Sequence, residues 1–557
     1  MNMRNLGDYH DLYLKTDVLL HVDVFEHFRD SILDFFHLDP CYFYTAPGLS
    51  WSAAFRMTKC TLTLLSDPDM YLFFEQLRGG VSMISNKYAK ANNPYVADYD
   101  STLPHTWIQY LDCNSLYAHT MTMELPTGGF RWLTDDEIDR FDIKSIPPTG
   151  SKGYVLEVDI RYPDHLHDDH SDLPVAPEQM TVSDDQLSPY TRRLFHKLHH
   201  GKSPQIGKKL CKDSENNLFR VSTRKLIPNL NEKTKYILHF RNLQQYLDLG
   251  LVLTKIPRVI EFEQSAWIAP YIRFCAEKRR LSNSKAQSQF FKLLPNSFFG
   301  KTCEDLRKRI NFKLIHTKRK FLKEVVKSSF KGFTIFSNDL VGMEHAKVRL
   351  HLNKPIYTGF CVLDMSKTVI YNFHYFEMKP RYPGTKLKLL WTDTDSLGYL
   401  IESADLYQDM SKTLHLYDTS NCPRDHVLYS KVNERRPGVM KDECPGKIIS
   451  EFVGLRSKMY AFVCNQGSET KIAKGVQKST ISSKLRFEQY KTCLFEEIQE
   501  MSECYNIRSD KHTLYLTHVN KIGLSAADDK RYVLGNKCDT LAYGHYKIKR
   551  LISQCPV

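Results

Sequence analysis

The chain has 557 residues, 42% of them hydrophobic and 25% charged, a balance that excludes wholesale disorder and allows about three or four domains. Lys and Arg outnumber Asp and Glu by 77 to 64, for a net charge of +13; this fits a polyanionic partner as well as it fits any basic soluble protein. No apolar run approaches the roughly 18 residues of a membrane span, the N-terminus lacks a signal-peptide core, and the 14 cysteines form no CxxC pair, so the expectation is a soluble intracellular protein with free thiols and no membrane contact.

Residues 9–37 read as an amphipathic helix, with Leu12, Val18, Leu19, Val22, Phe25 and Phe28 near helical spacing. A second helix is expected at 51–65. Gly79-Gly80 breaks the pattern and leads into a short strand, VSMIS. Residues 107–112 form a strand that ends on Asp112, and Pro126 to Gly129 closes that segment as a turn. From 130 to 255 short strands alternate with polar loops, Tyr154 to Ile160 being the clearest, and the stretch 192–225 is basic. Helical character returns over 266–303, with Pro270 as a start signal. Residues 301–331 hold eleven Lys or Arg against three acids. Strand pairs are expected at 357–373 and 387–402, and one helix at 486–504. There is no internal repeat.

Three segments carry chemistry. Asp112 precedes the small turn Asn114-Ser115-Leu116-Tyr117, and Asp393-Thr394-Asp395-Ser396 sits between two apolar runs, as in a hairpin with its acids at the exposed end. Carboxylates are hard oxygen ligands suited to magnesium, and two divalent ions serve phosphoryl transfer by activating a hydroxyl and neutralising a leaving pyrophosphate. Between these segments lies KLLPNSFFG, where Lys292, Asn296 and Phe299 share a helix face at i, i+4 and i+7, with Lys285 one heptad earlier. A cation, an amide and a ring on one face can hold phosphate, sugar and base; alone, the helix could equally show a wet polar face. An Asp-x-Asp alone also occurs in ordinary turns and in nucleotide-sugar glycosyltransferases. The acids and histidines from Asp164 to Asp172 (His165, His167, His170, Asp168, Asp169) form a second cluster, in a Pro-flanked loop that fixes no metal geometry.

In order and separation the three segments resemble motifs A, B and C of family B DNA polymerases, in the protein-primed branch of phages, linear plasmids and Maverick/Polinton elements. The resemblance implies an α+β right-hand polymerase with an antiparallel palm sheet, helical fingers and a small thumb. It implies catalytic Asp112, Asp393 and Asp395, with Asp112 and Asp395 as ligands of two Mg2+ ions, for which Mn2+ can substitute, and Asp393 as a supporting acid. Ser115, Leu116, Tyr117, Arg280, Lys292, Asn296, Phe299 and Gly300 would bind the nucleotide, with Tyr117 beneath the deoxyribose. Gly79, Gly80, Ser297, Lys458 and Tyr460 would bind DNA; Arg78-Gly79-Gly80 is similar to the family's Tyr-x-Gly-Gly loop without its tyrosine, and Lys458-Met459-Tyr460 to its Lys-x-Tyr segment. Ala118 stands where the family usually has proline, and Phe299 where it has tyrosine.

The implied layout is an exonuclease remnant at 1–78, template loop and first palm part at 79–129, an insertion at 130–255, fingers at 256–303, a second basic insertion at 304–340, the second palm part at 341–465 and the thumb at 466–557. The implied partners are primer-template DNA, dNTPs and a terminal protein primer, in the nucleus or at a viral replication site if the source is eukaryotic. Tyr13 and Asp17 resemble the third exonuclease motif, but no Asp-x-Glu precedes Asp112. The chain therefore reads as the C-terminal part of a longer polymerase without proofreading, its N-terminal helix held by an apolar face packed on the polymerase core. The alternatives are an inactive DNA-binding relic of such an enzyme and a DxD glycosyltransferase.

Overall fold

The computed structural model describes residues 3–198, 224–510 and 513–554. Most of the basic stretch 192–225 lies outside these residues. The molecule is α+β, and its sheets are almost wholly antiparallel. The largest runs in the order Ser82–Ile84, Leu387–Asp393, Ser396–Glu402, Thr106–Cys113, Ile449–Arg456, Met459–Cys464 and Glu469–Ala473. The short strands Tyr88–Lys90, Tyr417–Asp418 and Met440–Asp442 join its flanks.

Thr106–Cys113 is the central strand. It pairs with Ser396–Glu402 over its full length, and Met440–Asp442 covers its other edge near Asp112. Its alternating buried positions reflect the period of two that seats one face on the core. Fully buried Trp391 stacks on Phe452 at 4.5 Å. Gly398 on the neighbouring strand makes room for it, since a Cβ there would sit 2.2 Å from the indole.

A second, four-stranded sheet runs Leu125–Trp132, Val252–Ser265, Lys152–Arg161, Lys233–His239. The segment expected to close as a turn at Pro126 to Gly129 is thus strand, because its backbone pairs with Gln264 and Glu263. The limits expected at 129/130 and 255/256 fall inside strands of this one sheet, which binds the 130–255 segment into the body of the molecule. The basic segment after 304 makes a small three-stranded sheet of Ile310–Ile315, Phe330–Ser337 and Leu340–Ala346 with helix Lys318–Val325.

Residues 357–373 were expected as strands and are helix, Ile356–Asn372, running into a π-helical turn at Phe373–Met378. The helix is buried nearly all round, so no polar face imposes a period of 3.6, and its β-branched and aromatic residues mimic strand. The helix expected at 51–65 is Ala46–Thr58, and the one at 486–504 is Phe487–Phe495 followed by strand Glu500–Asp510.

The N-terminal helix is Leu6–Phe36, capped by the Asn5 side chain. Only its C-terminal part packs: Ile32 and Phe36 are buried, and Phe28 meets Phe290 edge-on at 4.7 Å. Tyr9, Tyr13, Leu14, Val18, Leu19, Leu20 and Val24 are exposed. The expected packing of the whole apolar face is therefore corrected: two N-terminal thirds of this helix reach beyond the core that could cover them. No described helix is long and apolar enough to cross a membrane, and the described cysteines are all free thiols.

Candidate active site

The central strand delivers Asp112 opposite Ser396, the first residue after the Asp-Thr-Asp turn. Asp393 pairs with Ser396, so Thr394 and Asp395 form a two-residue hairpin turn. The Cys113 N–H donates to the Asp395 carbonyl at 2.7 Å, closing the strand end onto the turn. Thr394 has φ 68°, an unusual conformation for a β-branched residue. Its N–H donates to Val81 O at 2.7 Å, and Gly80 lies so close that a Cβ would stand 2.4 Å from the Thr394 side chain. Gly80 is thus a contact of the Asp-Thr-Asp turn, whereas Gly79 faces open space.

Asp112 and Asp395 are both largely withdrawn from water. Burial, the neighbouring Asp395 charge and Glu443 push the Asp112 carboxyl up to about 7, against the pull of Lys441 and Lys292. Burial, with Asp393 beside it, also raises Asp395, while its own N–H, Lys292 and Lys458 oppose the rise. Among the described residues no side-chain donor hydrogen-bonds either carboxylate. Two adjacent hard oxygen donors whose charges repel and that no side-chain hydrogen bond answers fit a divalent cation. Asp393 differs: Lys458 Nζ lies 2.9 Å from its Oδ1.

Lys292 and Asn296 are exposed on helix Lys285–Thr302, and Phe299 is half-buried on the same side. Phe299 stacks on Tyr117 with ring centroids 4.5 Å apart, so the motif A turn and the motif B helix meet ring to ring. Ser115 has φ 49° and starts the short helix Leu116–Thr120. Leu116 is buried, so only its backbone can face a ligand, and Gly300 is open to solvent.

Some expected residues stand elsewhere. Arg280 is exposed and bonds Glu277 at 2.7 and 3.0 Å. Its neighbour Arg279 instead turns inward and donates to Ser115 Oγ at 3.1 Å, with burial and Arg435 lowering its pKa. Sequence reading missed Arg279 because adjacent helical residues point about 100° apart and the spacing alone does not choose between them. Ser297 is buried on the core side of its helix, which withdraws it from direct contact with DNA. Tyr460 is likewise buried beneath the site, its ring 5.2 Å from Trp391.

Lys441 pairs with Glu443 at 2.7 Å beside Asp112 and carried no sequence signal. The Asp164 to Asp172 cluster diverges: His170 meets the Tyr162 hydroxyl at 2.8 Å, Asp168 accepts from the Tyr546 hydroxyl at 2.7 Å, and Asp172 accepts from the Leu389 N–H at 3.0 Å. Among the described residues, no three or more His, Cys, Asp or Glu side chains converge as a metal site.

Residues 8–188, which include Asp112 and the Ser-Leu-Tyr turn, match the family described as DNA polymerase type B, organellar and viral. No curated protein sequence matches the chain. Among solved structures, Phi29 DNA polymerase in a ternary complex with primer-template DNA and incoming nucleotide is similar at 13% identity, with a TM-score of 0.49, over 87% of this chain and 68% of that one. Phi29 DNA polymerase in a post-translocation binary complex is similar at 12% identity and 0.48, over the same shares. The sequence match to the organellar and viral type B DNA polymerases thus rests on residues 8–188, about a third of the chain.

Proposed function

We propose that this chain is a template-directed DNA polymerase that adds dNTPs to a primer 3′-hydroxyl. The observation that carries this reading is the meeting of Asp112 and Asp395, unanswered by side-chain hydrogen bonds, within the field of Lys292 and next to the Tyr117–Phe299 stack. Asp112 and Asp395 would hold two magnesium ions, which supply Lewis-acid activation of the hydroxyl and charge neutralisation at the triphosphate. Lys292 provides a cation for the phosphates, and Arg279, anchored on Ser115, a second. Tyr117, braced by Phe299, occupies the space where a ribose 2′-hydroxyl would fall. Lys458 holds Asp393 and lines the path of the primer end. Most of the rate comes from positioning and charge neutralisation. We extend the proposal to protein-primed replication of a mobile or viral element, with a terminal protein supplying the first hydroxyl. The pairing of Asp393 with Lys458 disfavours a DxD glycosyltransferase, in which both acids of the turn serve the metal.

Primer extension with purified protein tests the reading. Asp112→Asn and Asp395→Asn should each abolish incorporation while leaving primer-template binding within a few-fold of wild type, and Asp393→Asn should do less damage. Extension by Asp395→Asn at near wild-type rate would remove the metal assignment. A wild type that binds DNA but never extends it would make the chain a relic.

A further inference from the structure

The Asp-Thr-Asp turn is gripped from three distant parts of the chain. Gly80 and Val81 contact Thr394, and Lys458 pairs with Asp393. The third part is the segment 525–533, which carries no motif. Lys530 Nζ donates to Ser82 O at 2.6 Å. Ser82 is the strand partner of Asp393, and its hydroxyl meets the Ser457 hydroxyl at 2.7 Å. Lys530 therefore fixes the strand beside the turn, and the Ser82 hydroxyl joins that strand to the hairpin that carries Lys458.

The segment is firmly seated. Asp528 is buried, pairs with fully buried Lys87 at 3.1 Å, and accepts the Lys530 N–H at 3.1 Å. Arg531, also fully buried, donates to Ser171 O at 2.8 Å. Buried ions persist where partners fix them and cost stability when one is removed. Ser82 is buried too, so without the ammonium its carbonyl would lose a charge-assisted bond. Burial lowers the Lys530 pKa, and the charges of Asp528, Asp529 and Asp393 oppose that fall.

We propose that Lys530 is a positioning residue for the Asp-Thr-Asp turn, acting through the Ser82 carbonyl and Asp393 to hold Asp395 facing Asp112. Its effect on catalysis rests on the polymerase reading above; its hold on the turn does not.

The test uses the full chain with Lys530→Met, Lys530→Arg and the control Lys225→Met, which removes the ion pair with Asp529 on the same segment. Amide hydrogen exchange is read over 80–84 and 391–396, beside steady-state primer extension. Lys530→Met should speed exchange at the Thr394 amide and lower kcat by about ten- to a hundredfold, the scale of a misplaced reacting group. Its primer-template affinity should stay within about twofold, because Lys530 bonds protein and not phosphate. Lys530→Arg should recover most of the loss, and Lys225→Met should leave both readouts near wild type. Unchanged exchange at Thr394 in Lys530→Met, or equal losses in Lys225→Met, overturns the proposal. If the wild type does not extend primers, the polymerase reading fails, and Thr394 exchange still decides the clamp.

Discussion

Asp112 illustrates at one residue what it costs to bury a carboxyl beside other acids. Its carboxyl is held at about 7, well above the usual 3.8, chiefly by burial. The folded protein thus keeps a proton there that the unfolded chain releases, so the stability this gives is complete below about pH 4 and is lost as pH rises through 7. Asp112→Asn cannot ionise, so in metal-free buffer its melting temperature should gain on wild type between pH 4 and 8, and magnesium should narrow the gap. A difference that stays constant with pH would show that Asp112 is not held protonated. The glycine pair gives a sharper contrast. Gly80→Ala forces a Cβ to within 2.4 Å of the Thr394 side chain, while Gly79→Ala meets nothing within 4 Å. The first should lower primer extension at least about tenfold by shifting the turn, and the second should be near neutral; equal effects would mean the glycines serve something other than this contact. That Asp112 and the Asp-Thr-Asp acids can meet was legible in the sequence, because each stands at the end of an apolar strand run; the Tyr117–Phe299 stack was not. Arg279, Glu443 and Lys530 were not, because each reaches the site through tertiary packing that no local pattern encodes.

Elements with one wet face were the easiest to read. The two helices within 266–303 stand where helical spacing put them, whereas the 387–402 hairpin, buried on both faces, was marked by its apolar runs. Ile356–Asn372 was misread because burial on every side erased its period. Its neighbour Lys285–Thr302 continues through Pro295, which deprives one carbonyl of its usual donor. This helix is held from outside: Ser50 Oγ donates to Leu294 O at 2.6 Å and meets the Tyr271 hydroxyl at 2.9 Å. One hydroxyl thereby links helices Ala46–Thr58, Ala269–Arg280 and Lys285–Thr302. Ser50→Ala should cost about 1–3 kcal/mol in urea unfolding, since it strands a buried phenol. A loss below about 0.5 kcal/mol would show that the bridge is replaced by another partner.

At the scale of the whole molecule, the fold class was legible and the domain limits were not, because sheets draw strands from either side of any boundary in sequence. Leu125–Trp132 and Val252–Ser265 are adjacent strands despite bracketing the expected insertion. The exonuclease-like pair shows the same limit. Tyr13 and Asp17 stand one turn apart on the exposed part of the first helix, and one carboxylate cannot hold two metal ions in reactive geometry. Incubation with magnesium and a 3′-mismatched, end-labelled primer, without dNTPs, should therefore give no shortening. Degradation that vanishes in Asp17→Ala would prove the pair active. The placement of Asp112 at the middle of the large sheet also sets a timetable for biosynthesis. Its strand partner Ser396 emerges 396 − 112 = 284 residues later, about 14–57 s at the ribosome's usual 5–20 residues per second. Throughout that interval the strand destined for the centre lacks both of its neighbours in the main sheet, so the nascent chain is a natural client for chaperones.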